Sequence, residues 1–137
     1  MIRFGGVLVV LALALGACSF GPSSLEVLEA NPMANATVSF AEPTTRVGVE
    51  GNPDPFIGIP SATSFRMGWD PIPPELVDQG LQELLDQARA AGFELEEDVE
   101  RRIDVNGVRS EKWEGFDANG IYLEVRLSED SLSVFLG

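Results

Sequence analysis

The feature that most constrains the fold is a change in the spacing of apolar residues close to Phe93. Between Pro74 and Gly92, apolar residues recur every three or four positions, which predicts an amphipathic helix. Beyond Phe93, apolar and polar residues alternate, which predicts antiparallel strands joined by short turns. We therefore predict an α+β domain in which one amphipathic helix packs on an antiparallel β-meander of about four strands. The predicted apolar face of the helix consists of Val77, Leu81, Leu84, Leu85, Ala88 and Ala91.

Three turns divide the predicted meander. Asn106-Gly107 is typical of a two-residue hairpin, and further turns fall at Asp117–Gly120 and Ser128–Ser131. The segment before the first turn, from Glu94 to Arg102, does not alternate cleanly, so we expect a bulge or break near Asp98. The last turn sets its strands in a register that places all the facing apolar residues on one side of the sheet. The predicted pairs are Val105 with Val108 at the first turn, and Leu127 with Leu132, Val125 with Val134 and Leu123 with Leu136 at the last.

The segment from Arg46 to Pro74 is rich in proline and glycine, which disfavours long regular elements. It also contains many large apolar residues, which is not the composition of a linker. We predict an ordered, mostly extended segment that precedes the helix, with short strands at Arg46–Glu50 and Ser64–Gly68. Its aromatic residues either fill the core of the domain or form the rim of a binding groove. The residues at that predicted rim are Phe56, Phe65 and Trp69.

Trp113 and Tyr122 lie on predicted strands, and we expect both side chains to point away from the sheet face that carries Leu123 and Val125. Because one helix covers only one face, the other face needs a cover or a partner. Either the proline-rich segment packs on it and forms a third layer, or the face is open and binds a partner. For the second alternative, the predicted interaction surface consists of Phe56, Phe65, Trp69, Trp113 and Tyr122.

The first eighteen residues have the order of an export signal. Arg3 supplies a positive charge, the stretch from Phe4 to Leu15 is almost entirely apolar, and the segment ends in Leu15-Gly16-Ala17-Cys18. The apolar run is shorter than the roughly 20 residues that a membrane-spanning helix needs, and this order is typical of a signal that is cleaved. The Leu-Gly-Ala-Cys ending resembles the signal of bacterial lipoproteins.

The resemblance implies that residues 1–17 are removed and that Cys18 becomes a lipidated N-terminus. It then places the protein at the cell membrane or outer membrane, facing outside the cytoplasm, with the lipid anchor as its membrane contact. Residues 18–45, which begin with a short polar stretch containing Gly21 and Pro22, are predicted to be a lipidated tether. Residues 46–137 are then the single domain. One alternative is that Cys18 is an ordinary buried thiol at the end of an apolar helix, and another is a signal that is cleaved without lipidation.

Charge and missing residue types exclude several classes of function. The chain has 9 basic and 22 acidic side chains, and its formal net charge of −13 repels the phosphates of nucleic acids. It has no histidine and one cysteine, which excludes Ser-His-Asp and Cys-His catalysis and zinc sites of Cys and His ligands. The sequence predicts no cofactor. Carboxylate chemistry, oxygen-ligand metal binding and non-catalytic binding remain.

A dense run of carboxylates follows the helix, and we predict that it forms a solvated edge strand whose charges prevent pairing with other chains, with no metal bound. The alternative is a calcium site, since calcium binds six to eight oxygen ligands. The ligands in that alternative are Glu96, Glu97, Asp98 and Asp117.

We therefore predict a lipid-anchored envelope protein with a small acidic, non-catalytic domain that binds an envelope partner. A calcium- or small-ligand-binding domain is the alternative. A hydrolase that uses a pair of carboxylates is a third reading, although no specific pair marks it in the sequence.

Overall fold

A computed structural model of the protein describes residues 24–51, 63–98 and 107–137. These residues form one antiparallel sheet of six strands in the order β1-β2-β6-β5-β4-β3, with a single long helix. The predicted α+β class is confirmed, whereas the predicted number of strands was too low. The elements are α1 (Leu25–Glu29), a 3₁₀ turn (Pro32–Asn35), β1 (Thr45–Val49), β2 (Ser64–Trp69), a 3₁₀ turn (Pro74–Leu76), α2 (Val77–Ala90), β3 (Glu94–Glu97), β4 (Ser110–Phe116), β5 (Tyr122–Ser128) and β6 (Ser131–Leu136).

The two strands beyond the meander, β1 and β2, lie where short strands were predicted at Arg46–Glu50 and Ser64–Gly68 in the proline-rich segment. β2 pairs with β6, with Met67 opposite Val134, and β1 pairs with β2. The expectation that this segment covers the second face of the sheet was therefore wrong for its described residues, because they extend the sheet sideways. This arrangement satisfies the backbone hydrogen bonds of β6. It also directs the alternate side chains of β2 into the core, namely Phe65, Met67 and Trp69.

Helix α2 begins after the 3₁₀ turn at Pro74 and ends at Ala90, as the apolar spacing predicts. Beyond it, Gly92 has a φ of +93°, and the Phe93 N–H donates to the carbonyl of Ala88 at 3.1 Å. This is the hydrogen bond that commonly ends a helix whose terminating residue adopts the left-handed conformation. The buried helix residues are Val77, Gly80, Leu81, Leu84, Leu85 and Ala88.

The register of the last hairpin is confirmed, since Leu127 pairs with Leu132, Val125 with Val134 and Leu123 with Leu136. All six side chains are buried on one face of the sheet, which we call the inner face. The turn at Asp117 is also confirmed, because its Oδ1 accepts hydrogen bonds from the N–H groups of Asn119 and Ile121, each at 2.9 Å. The pairs predicted around Asn106-Gly107 lie largely outside the described residues.

The chain before β1 is part of the core. Leu28 and Met33 are almost fully buried, and the segment from α1 to the 3₁₀ turn packs on β1, β2 and β6. The boundary between tether and domain at residue 45 was therefore placed too late, since the folded domain includes the chain from Leu25 onward. The sequence lacks a regular period here, so its burial could not be seen from spacing. The buried apolar residues of this segment are Leu28, Met33, Ala34, Ala36 and Val38.

The core lies between the inner face of the sheet, helix α2 and this N-terminal segment. The opposite face, which we call the outer face, is different. None of the side chains that the described strands place on it is buried. The six strands thus position a broad surface, and that surface is the candidate functional site.

Candidate functional site

Strand pairing determines which side chains form the outer face. Side chains that lie directly opposite each other on paired strands share a face. Phe116 pairs with Tyr122 across β4 and β5, and Arg66 pairs with Phe135 across β2 and β6. Alternation with the buried residues of the same strands places all four on the outer face.

Three of these residues form an aromatic cluster on β4, β5 and β6. The ring centroids of Phe116 and Tyr122 are 5.4 Å apart, and those of Tyr122 and Phe135 are 6.1 Å apart. Both pairs are tilted, an arrangement in which ring edges approach ring faces favourably. Phe116 ends the row and is 59% exposed, which is high for a phenylalanine. We call Phe116, Tyr122 and Phe135 the outer aromatic cluster.

Carboxylates surround the centre of the cluster. Glu114 and Glu124 lie opposite each other on β4 and β5, and like charges in this position repel. The hydroxyl of Tyr122 lies between them, 2.6 Å from Glu114 Oε2 and 3.2 Å from Glu124 Oε2. Partial burial raises the pKa of the Tyr122 phenol, and its hydrogen bond to Glu114 raises that pKa further. The phenol therefore stays protonated and remains a hydrogen-bond donor.

Cations balance part of this negative charge. Lys112 Nζ lies 3.4 Å from Glu114 and 3.9 Å from Asp98, and Arg126 forms an ion pair with Glu124. The guanidinium of Arg66 lies 5.2 Å from the ring centroid of Phe135, within the range of a cation–π interaction. The outer face therefore combines exposed aromatic rings with ordered charges.

The structure separates the predicted interaction residues. Phe65 and Trp69 are 4% and 1% exposed on the inner face, so placing them at a binding surface was wrong. Their burial agrees with the alternative prediction that the aromatic residues of the proline-rich segment fill the core. Phe56 lies outside the described residues. Tyr122 is on the outer face, as predicted.

The predicted orientation of Trp113 was wrong. Trp113 pairs with Val125 and therefore shares the inner face with the core. The guanidinium of Arg89 on α2 lies 5.8 Å from its ring centroid, so the helix side of the domain covers it. Phe116 and Phe135, which the sequence analysis did not predict, lie on the outer face instead. The sequence could have predicted Phe135, because this residue alternates with Val134 and Leu136 in a hairpin whose register was predicted correctly.

The predicted calcium ligands do not converge. Glu96 and Glu97 are successive residues of β3 and point to opposite faces of the sheet. Asp98 forms an ion pair with Lys112, and Asp117 accepts the N–H groups of its own turn. Among the described residues, no group of three or more acidic or cysteine side chains is arranged to hold a metal ion.

The outer face is an open surface, which suits it to bind another macromolecule. Tyrosine, phenylalanine and arginine, which line it, are residues that protein interfaces favour.

Cys18 lies outside the described residues, and no helix within 24–51, 63–98 and 107–137 has the length and apolar character to cross a membrane. Comparison with protein-family models, with curated proteins and with solved structures finds no match.

Proposed function

We propose that this chain is a lipid-anchored envelope protein whose acidic, non-catalytic domain binds a partner protein through the outer face of its sheet. The observation that carries the proposal is the outer aromatic cluster. A contiguous set of three rings stands on a sheet face whose described side chains are all exposed or half-buried. Exposed apolar patches with polar surroundings are typical of interaction sites.

The proposed anchor is Cys18, which the lipoprotein-like signal supports. Because the folded domain includes Leu25, seven residue steps separate the proposed anchor from it, and a chain of that length spans at most about 25 Å. The domain is then held close to the membrane surface. Its net negative charge disfavours contact with anionic head groups.

Metabolic labelling tests the anchor. Cells that make the full chain are grown with a clickable fatty acid, and the protein is recovered from the membrane and soluble fractions. We expect label on a shortened protein in the membrane fraction, and loss of both label and membrane association in Cys18→Ser. An unlabelled, full-length protein in the soluble fraction would contradict the proposed anchor.

Photo-crosslinking in intact cells tests the binding face. The photoreactive residue p-benzoylphenylalanine replaces Phe116 in one strain and Val27 in another, because both side chains are exposed but lie on different sides of the domain. We expect one discrete adduct from position 116 and none from position 27. The crosslinked protein, once identified and purified, should bind the unmodified chain and lose affinity for Phe116→Ser. If position 116 yields no adduct, or both positions yield the same one, the outer face is not the binding surface.

A further inference from the structure

Arginine side chains cover three of the aromatic rings of the sheet. The guanidinium groups of Arg46, Arg66 and Arg89 lie 5.2 to 5.8 Å from ring centroids. These contacts span both faces of the sheet, so the arrangement is a repeated feature of the domain. The three rings belong to Phe65, Phe135 and Trp113 respectively.

Among the residues that the structure describes, no cation lies over the ring of Phe116. Its ring is the most exposed large apolar side chain among the described residues, and none of the arginine or lysine side chains described lies over it. Its ring is inclined at 56° to that of Tyr122, and 59% of the residue is exposed to solvent. A cation over an aromatic face is attracted by the negative charge of the ring. The position is therefore suited to accept a cation from outside the chain.

Carboxylates beside Phe116 favour the same ligand. Glu94 lies directly opposite Phe116 on β3, and Glu96 follows on the same face opposite Glu114. Glu94 and Glu96 are exposed, and no cation in the described part of the chain lies within ion-pair distance of either. An arginine placed over Phe116 would thus have acceptors beside it. A guanidinium suits this combination, because it stacks on rings and donates to carboxylates at its edge.

We propose that the Phe116 end of the outer face binds an arginine- or lysine-bearing, extended segment of the partner protein. The cationic group lies over the ring of Phe116, and Glu94 and Glu96 accept its hydrogen bonds. The proposal rests on the proposed function, because it specifies the chemistry of the partner at the same face. The net charge of −13 would attract a cationic segment from a distance and increase the rate of encounter.

A peptide titration tests this proposal. The lipidated protein, purified from cells in a neutral detergent, is titrated into fluorescently labelled acetyl-Arg-Thr-Arg-Thr-Arg-Thr-amide, and binding is followed by fluorescence anisotropy. The matched probe carries citrulline in place of each arginine, which keeps the shape and removes the charge. We expect the arginine peptide to bind and the citrulline peptide to bind at least about fivefold more weakly, as the loss of charge-assisted hydrogen bonds requires.

Three variants locate the contact. Phe116→Leu keeps an apolar side chain without a ring, and we expect a loss of affinity of about two- to fivefold. The double variant Glu94→Gln/Glu96→Gln should lose affinity by about two- to tenfold. The control is Glu26→Gln/Glu29→Gln, which removes the same charge from exposed positions of α1 and should change affinity by less than about twofold. Melting temperatures show whether each variant is folded.

The inference is overturned by equal binding of the arginine and citrulline peptides, by an equal effect of the two double variants, or by no effect of Phe116→Leu. A dimer that dissociates in Phe116→Leu, seen by light scattering, would show that a second copy of the chain occupies the face instead. If the arginine peptide does not bind while position 116 still yields a partner adduct in cells, the inference is wrong and the proposed function stands. Absence of any adduct removes the proposed function itself.

Discussion

The hydroxyl of Tyr122 donates a hydrogen bond to Glu114, 2.6 Å away on the neighbouring strand, and holds two opposed carboxylates together at the centre of the outer face. Glu114 and Glu124 face each other as like charges, and the Tyr122 hydroxyl offsets their repulsion together with the ion pairs to Lys112 and Arg126. The arrangement therefore links the shape of the outer face to the protonation of one phenol.

The titration of this phenol is the first prediction. Tyr122 is the only tyrosine in the chain, so phenolate absorbance in the near ultraviolet reports this residue alone. Burial and the hydrogen bond to Glu114 raise its pKa from the ordinary value of 10.0. Because the folded-state pKa is higher than the unfolded one, the associated stability is present below pH 10 and is lost as the pH rises further.

We therefore expect phenolate to appear only as the protein unfolds at alkaline pH. Glu114→Gln removes the charged acceptor and should lower the pKa of Tyr122, so that phenolate appears before unfolding. Circular dichroism at each pH separates titration from unfolding. Phenolate that appears in the folded wild-type protein with an ordinary pKa would contradict the described hydrogen bond.

The N-terminal segment gives the second prediction. Leu28 is 0% exposed and its neighbour Val27 is 45% exposed on the same helix. We expect Leu28→Ala to lower the free energy of unfolding by about 2–5 kcal/mol, the cost of a cavity in a packed core. Val27→Ala should change it by less than about 0.5 kcal/mol, because that side chain lies on the surface. Urea denaturation measures both, and equal small effects would mean that the segment is not part of the folded domain.

Gly115 gives the third prediction. A Cβ at this position would lie 1.7 Å from the carbonyl oxygen of Glu94, which is impossible without a shift of β3. We expect Gly115→Ala to destabilise the domain by about 1–3 kcal/mol through this overpacking. It should also weaken binding of the arginine peptide, because β3 carries Glu94 and Glu96. Ser110→Ala on the same strand is the control for stability, and an unchanged melting temperature in Gly115→Ala would contradict the close approach of the two strands.

An ion pair between α2 and the chain before β4 gives the fourth prediction. Arg109 Nη2 lies 2.6 Å from Asp78 Oδ1, and this hydrogen bond lowers the pKa of the Asp78 carboxyl from its ordinary value of 3.8. A lowered folded-state pKa contributes stability above the unfolded pKa, and the contribution is lost as the pH falls through the folded-state value. Because both side chains are largely exposed, the contribution is small.

We expect Asp78→Asn to lower the free energy of unfolding by about 0.2–1 kcal/mol at neutral pH. The difference from wild type should shrink toward zero as the pH falls below the unfolded pKa of the carboxyl. Glu75→Gln, which removes the same charge one turn earlier, is the control. A difference that stays constant down to the lowest pH at which the protein folds would show that the ion pair is not its source.

Local patterns predicted the elements whose partners are close in the chain. The turn at Ser128–Ser131 and the alternation on both sides of it determine one register, and the structure has that register. The spacing of apolar residues between Pro74 and Gly92 likewise predicts the helix and its buried face. In both cases the signal and the contacts lie within the same short stretch.

The errors concern contacts between distant parts of the chain. The sequence of β2 contains no local signal that predicts its pairing with β6, which begins more than sixty residues later. The sheet face on which Trp113 lies depends on the register between β4 and β5, because a shift of one residue moves a side chain to the opposite face. The same register places Phe116 on the outer face, so the residues of the binding surface could not be predicted without it.

The accessibility of one introduced thiol shows whether a partner covers the outer face in cells. Ser133→Cys lies on the outer face beside Phe135, and Ala90→Cys lies on the exposed end of α2 as the control. The native Cys18 is the only other cysteine, and the proposed lipid blocks it. Both variants are treated with a membrane-impermeant maleimide, in intact cells and as purified protein. We expect the bound partner to protect position 133 in cells while position 90 stays reactive. Equal reactivity of position 133 in cells and in the purified protein would show that no partner covers the outer face.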